Sequence, residues 1–219
     1  MKKPRVSHSK GQKRELKVDV NGPSAFIPVP NMTTDDVTRV YPRESIVPSA
    51  EWAAIDIKPF IKAKDEKERL GHLPSRHSAW VNNKLGEVIR GPAELRKDNM
   101  YVISSSLIHE LMFSKYLYYL SMLQDFSRKV GKIATLKPSE MGEQFPNVPS
   151  QIITGLLDRF TEKSGKKYTL TDSRKTKIMA WQCVLYLTID GWSTDISKVA
   201  TDLKMKPPKS VFPYTLSGW

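Results

Sequence analysis

A single cysteine, Cys183, and four histidines in 219 residues leave little scope for thiol or metal chemistry. One thiol cannot close an internal disulfide or build a multi-cysteine metal site, and this usage fits a reducing intracellular compartment. His72 and His77 stand five apart, which does not bring both onto one helical face as i, i+4 ligands require; His8 and His109 are isolated. No stretch approaches the roughly 18 uninterrupted apolar residues that a bilayer span needs, and no apolar run at the N-terminus suggests a signal sequence. No glycine loop is spaced to cradle phosphates. Asp65, Glu66 and Glu68 are interleaved with Lys64, Lys67 and Arg69, the pattern of a solvated mixed-charge face and not of a catalytic carboxylate pair. Neither catalysis nor a cofactor, a metal or a membrane is expected.

Acidic residues are the other shortage. Lys and Arg number 35 against 23 Asp and Glu, a formal charge of +12. That excess speaks to partners: nucleic acid, an anionic membrane face or an acidic protein surface. What is present in quantity is apolar, 39% of the chain, enough for a real core in one or two compact domains plus a tail.

Residues 1–32 carry Lys2, Lys3, Arg5, Lys10, Lys13, Arg14 and Lys17 against Glu15 and Asp19, and Pro4, Pro23, Pro28 and Pro30 interrupt any regular element. They read as a flexible basic linker; a solvated tail, a localisation signal and a DNA contact all remain open for it. Beyond it, Thr34 caps a short turn over Asp35–Val40, and Tyr41–Val47 reads as extended between prolines. Ser49 caps a helix over Ala50–Ile55. Pro59 opens a third helix that closes near Leu70 with Gly71 as its stop, and a fourth runs from Ser78 to Ile89 with Trp80, Val81, Leu85 and Val88 inward. Residues 91–99 read as a loop.

The second half is more periodic. Leu107, Ile108, Leu111, Met112, Tyr116, Tyr119, Leu120 and Leu123 fall at helical spacing over about 104–127, apolar nearly all round, so this helix should be buried and its tyrosines core. Ile152, Ile153, Leu156, Leu157 and Phe160 give one apolar face, with Gln151, Thr154, Asp158 and Arg159 opposite. Two β-prone pieces joined by the basic run Lys163-Ser164-Gly165-Lys166-Lys167 then have the form of a hairpin wing. Thr171 or Asp172 caps another helix with Ile178, Trp181, Leu185 and Ile189 inward and Cys183 as a packing residue. In Asp195–Met205, Ile196, Val199, Ala200 and Leu203 form a stripe, Met205 plugs the turn, and Val211 falls where a next helix would pack, the spacing of a helix-turn-helix. Helix, helix and basic hairpin is the winged-helix order.

Several segments together resemble the forty-nine-kilodalton-type subunit of RNA polymerase I. They are Val40-Tyr41-Pro42-Arg43-Glu44-Ser45-Ile46-Val47-Pro48, Lys115-Tyr116-Leu117-Tyr118-Tyr119-Leu120, Ile153-Thr154-Gly155-Leu156-Leu157-Asp158-Arg159-Phe160-Thr161 and Ala200-Thr201-Asp202-Leu203-Lys204-Met205, in one collinear order. The resemblance implies a tandem winged-helix region related to that of TFIIE, binding DNA near the polymerase cleft. It also implies a linker across that cleft, RNA polymerase I core subunits and initiation factors as partners, and a nuclear, nucleolar location. It further implies that the module with which the family pairs with a partner subunit is absent from this chain.

The expected class is mainly α with small β-hairpin wings, divided into the linker 1–32, a helical lead-in and first winged-helix domain over 33–171, and a second winged-helix domain over 172–219. Pro207, Pro208 and Pro213 lead us to expect the second to be incomplete. Double-stranded DNA is the expected ligand, bound with little sequence preference because no Arg or Asn pair is arranged for bidentate base contacts. The expected contacts are Lys163, Lys166 and Lys167 of the wing, with Gln151, Thr154 and Arg159 on the preceding helix and Arg174, Lys175 and Lys177 at the start of the next. A protein-docking role without DNA contact is the alternative.

Overall fold

A computed structural model describes residues 26–89, 105–131, 138–165 and 167–205. Most of the basic linker, the loop at 91–99, Lys166, Val211 and the late prolines lie outside them. In chain order the elements are α1 (Arg43–Ile46), α2 (Ser49–Ala54), α3 (Lys58–Lys62), α4 (Glu66–Gly71), α5 (Ala79–Val88), α6 (Ser105–Val130), α7 (Pro138–Gln144), α8 (Ser150–Phe160), β1 (Glu162–Ser164), β2 (Lys167–Thr169), α9 (Asp172–Ile189) and α10 (Ile196–Asp202). The protein is thus mainly helical, and its sheet among the described residues is the antiparallel pair β1–β2.

The expected long helix is α6, and it is the axis of the core. Tyr116, Leu117, Tyr119, Leu120, Met122, Leu123 and Phe126 are all buried along it, while α5 and α9 pack on its sides. Its tyrosines are core, as the spacing indicated; Met112, nearer its start, is 39% exposed. Helix α8 lays Ile152, Ile153, Leu156, Leu157 and Phe160 onto this core, each such side chain contributing about 1.5–3 kcal/mol of burial. Helix α9 begins at the first of its two candidate caps, the Thr171 hydroxyl accepting from Arg174 N–H, and buries Ile178, Trp181, Leu185 and Ile189. Cys183 is half-buried there and burial raises its thiol pKa, which fits packing.

The first third departs from the local reading. The turn expected over Asp35–Val40 is a 3-10 turn, Val37–Arg39, capped by the Asp36 carboxylate. Tyr41–Val47 is not extended: Arg43–Ile46 forms a helical turn, because Ile46 and Val47 both bury fully and the Ile46 carbonyl, free at the helix end, accepts from Trp181 Nε1 at 2.9 Å. Ser49 is the first helical residue of α2 and not its cap; Pro48 takes the cap position. The expected third helix is two. Asp65 breaks it by accepting from Glu68 N–H at 2.7 Å while the Glu68 carboxylate accepts from Lys64 N–H at 2.8 Å, a reciprocal capping arrangement that outcompetes helix continuation. Helix α5 matches its expected span, with Ser78 as cap and Trp80, Val81 and Leu85 buried.

At the far end α10 is capped by Asp195 and buries Val199 and Ala200. Ile196, placed in the same stripe by its spacing, is 47% exposed, and Met205, expected to plug the turn, is 44% exposed. The helix is short and only its inner edge reaches the core, so the stripe narrows.

Candidate nucleic-acid interface

The hairpin leaves the end of α8 abruptly. Thr161 turns extended, its N–H still bonded to Leu157 O at 3.0 Å, and β1 begins one residue later. Glu162 pairs with Thr169, Lys163 with Tyr168 and Ser164 with Lys167. Gly165 takes φ +61°, a left-handed geometry that favours glycine at the tip. Tyr168 and Leu170 bury beneath the hairpin, so a three-residue ladder that would be marginal alone is anchored to the core.

Because side chains alternate across a strand, Lys163 shares a face with Tyr168, whereas Lys167 shares the opposite face with Ser164. Lys163 Nζ lies 5.6 Å from the Tyr168 ring centre. Both lysines are exposed, one on each side of the hairpin. Glu162 at the hairpin base accepts from the Thr171 hydroxyl at 3.0 Å and lies 3.7 Å from Arg174 Nε, and Arg174 also donates to Arg159 O at 3.3 Å. Arg174 is therefore drawn to the hairpin base. Lys175 pairs with Asp172 at 2.8 Å on the surface of α9. Lys177 lies 5.7 Å from the Trp181 ring centre; burial, then the nearby charges of Arg174 and Arg159, push its pKa down.

Arg159 is not on the outer face of α8 with Gln151, Thr154 and Asp158, which are exposed. Its guanidinium turns inward to pair with Glu51 of α2 and donates to Tyr119 Oη of α6 at 2.6 Å, while Tyr119 donates to the other Glu51 oxygen at 2.8 Å. The pairing is tight enough that a Cβ on Gly155 would overlap Glu51 Oε1. Arg159 thus fixes α8, and through it the hairpin, to α2 and α6; those donors are committed. Gln151 and Thr154 occupy the early turns of α8, Gln151 being some 13 Å of helix rise from the end where the hairpin departs.

A group that residue spacing did not indicate lies on α1, α2 and α6. Arg43 and Lys115 each place their cation 5.3 Å from the centre of the Trp52 ring, and Lys115 donates to Trp52 O at 2.8 Å. Residues 43, 52 and 115 are too far apart in sequence for any local pattern to have joined them. Glu51 was equally silent; the one signal was Gly155, a glycine inside a strong amphipathic helix, which points to close approach by a neighbour.

Among the described residues no group of three or more His, Cys, Asp and Glu could hold a metal ion, and no helix is long and apolar enough to cross a membrane. The family model described as A49-like RNA polymerase I associated factor matches residues 4–212. The chain is similar to the DNA-directed RNA polymerase I subunit rpa49 of Schizosaccharomyces pombe, 31% identical over 188 residues that cover 84% of this chain and 40% of that protein. It is also similar to the DNA-directed RNA polymerase I subunit RPA49 of Saccharomyces cerevisiae, 24% identical over 202 residues that cover 87% of this chain and 43% of that protein. The chain spans about two fifths of the length of these curated relatives.

Proposed function

The chain belongs to the A49-like RNA polymerase I associated factors, and from that premise we propose that it is a non-catalytic RNA polymerase I subunit that binds duplex DNA through winged-helix modules. It would act in the nucleolus, on the polymerase core, in initiation and elongation of rRNA gene transcription. The observation that carries the DNA-binding part is the hairpin: two exposed lysines on opposite faces of a narrow β ribbon, rigidly mounted at the junction of α8 and α9. Exposed cations near the turn of a narrow ribbon suit a phosphate backbone. Arg174 at its base adds a third contact, and Lys166, Lys175 and Lys177 are proposed with them. Contacts of this kind grip the backbone without reading bases. Helix α8 would be the helix before the wing, with Gln151 and Thr154 as its polar contacts, and α9 would open the second module at the 171/172 boundary, sharing its apolar face with the first.

The test is fluorescence anisotropy of the chain with duplexes of unrelated sequence across a salt series. With about five or six phosphate contacts, log K should fall against log salt with a slope near −5, each contact contributing about −0.9. Reversing the charge of Lys163, Lys166 and Lys167 together should weaken all sequences alike. A binding constant indifferent to salt would refute the reading.

A protein-docking role has one observation in its favour. The outer face of α8 carries the exposed carboxylate of Asp158 and no free guanidinium, since Arg159 is turned inward, and such a surface suits polar protein contacts better than phosphate. Affinity for polymerase core without measurable DNA affinity would select that reading.

A further inference from the structure

Cations stand against aromatic rings at more places than the hairpin. Lys115 and Arg43 flank Trp52; Lys177 and Arg159 stand 5.7 Å from the Trp181 ring centre; Lys163 lies by Tyr168. The groups are joined through the fold. Arg43 and Ile46 share the single turn of α1, and Ile46 O receives the Trp181 Nε1 hydrogen bond at 2.9 Å. Arg174, bonded to Arg159 O at 3.3 Å, links Trp181's neighbourhood to the hairpin base. Helix α2, which carries Trp52, also packs on α8, from whose end the hairpin departs.

We propose that Arg43 and Lys115, held against Trp52, are a second phosphate-binding site that extends the grip on duplex DNA from the hairpin across α1 and α2. This rests on the reading of the hairpin as a DNA contact. The rings do not stack bases here. Trp52 already has two cations within 5.3 Å of its centre and Tyr116 tilted against it at 5.0 Å, so it serves to fix the cations in place, which lowers the entropy lost when they meet phosphate. Arg43 keeps 31% of its side chain exposed, and its carboxylate partner is the neighbouring Glu44, an exposed group that can swing aside. Lys115 spends one of its three donors on Trp52 O and has Asp56 at longer range. Burial and then the charge of Arg43 depress the Lys115 pKa, a mutual repulsion that a bound phosphate relieves.

The experiment compares three forms of the chain on a duplex of about 30 base pairs, long enough to reach both patches, over a potassium chloride series: the unaltered protein, the Arg43→Gln/Lys115→Gln double variant, and the charge-reversed hairpin. Losing two contacts should reduce the slope of log K on log salt by about 1.8 in the double variant, equally for any sequence. A double variant with the unaltered slope, alongside a hairpin variant that has lost affinity, overturns the second site and leaves the hairpin reading standing. An unaltered protein with no salt-sensitive binding overturns both. Since Lys115 also supports α2, a readout without substitution accompanies these. Acetylation of Lys115 in the unaltered protein should slow several-fold when duplex is saturating, and an unchanged rate overturns the proposal.

Discussion

The two ends of the core are fastened by latches of similar parts and different electrostatics. On the hairpin side, the Glu51 carboxylate is 3% exposed and meets Tyr119 and the Arg159 guanidinium. On the α10 side, one oxygen of Asp202 accepts from Ser78 Oγ at 2.7 Å, from Gln124 Nε2 at 2.9 Å and from the Tyr186 hydroxyl. Each latch ties three or more elements through a carboxylate and a buried tyrosine. Only the first contains a compensating charge. A fully buried carboxylate needs a cation because low-dielectric surroundings penalise an isolated charge, whereas the half-buried Asp202 is held by neutral donors. The charged latch is the one that positions the proposed DNA contact.

Breaking the charged latch should have the largest effect. Glu51→Leu leaves Arg159 without its ion-pair partner inside the core, and about 3–5 kcal/mol of stability should be lost, read as a drop in the urea midpoint. Gly155→Ala attacks the same latch from the other side, because its Cβ would overlap Glu51 Oε1; a variant as stable as the parent would mean that Glu51 has room to move. The neutral latch should prove weaker. Asp202→Ala removes the shared acceptor at a cost of about 1–3 kcal/mol, with faster amide exchange concentrated in α10. If it matched Glu51→Leu, the ion pair would not be what distinguishes the two latches.

Alkali tests what the latches share, their buried hydroxyls. Burial raises Tyr119 and Tyr186, and it pushes Tyr116 and Tyr118 up to about 12 from the ordinary 10.0. A raised folded-state pKa gives stability that is complete below the unfolded value and lost as pH rises. Denaturation midpoints should hold up to about pH 10 and fall between about 10 and 12. A flat profile across that window would show those hydroxyls reaching solvent. The smallest stability effect belongs to the hairpin tip: Lys163→Gln/Lys167→Gln should leave the melting curve within about 0.5 kcal/mol of the parent while flattening the salt slope by about 1.8.

Legibility followed length and periodicity. Helix α6, helix α8 with its apolar face, the hairpin and the cap of α9 could be read directly, because each repeats a strong pattern over enough residues to dominate its own conformation. Before residue 72 the turn at Val37–Arg39 and helix α2 were legible, but α1 and the break between α3 and α4 were not. At Arg43–Ile46 the outcome turned on a hydrogen bond from Trp181, far along the chain, and at Asp65 on a capping exchange that competes with helix propagation by a small margin. Ile196 and Met205 failed because spacing says which residues share a face, not how far that face reaches a core. The collinear segments that suggested the family were sound: the family model spans residues 4–212.

The sequence by itself determined the balance of charge, the absence of cysteine frameworks, the long buried helix and the basic hairpin, since these depend on composition and near-neighbour order. Only the tertiary structure decided what each cation does. Arg159 and Lys163 look alike on paper, four residues apart. One is drawn inward because α2 brings Glu51 within reach, and the other stays in solvent because it stands on a two-stranded ribbon that projects from the core. A charged side chain takes its role from the partner that folding delivers, and that partner is not written beside it.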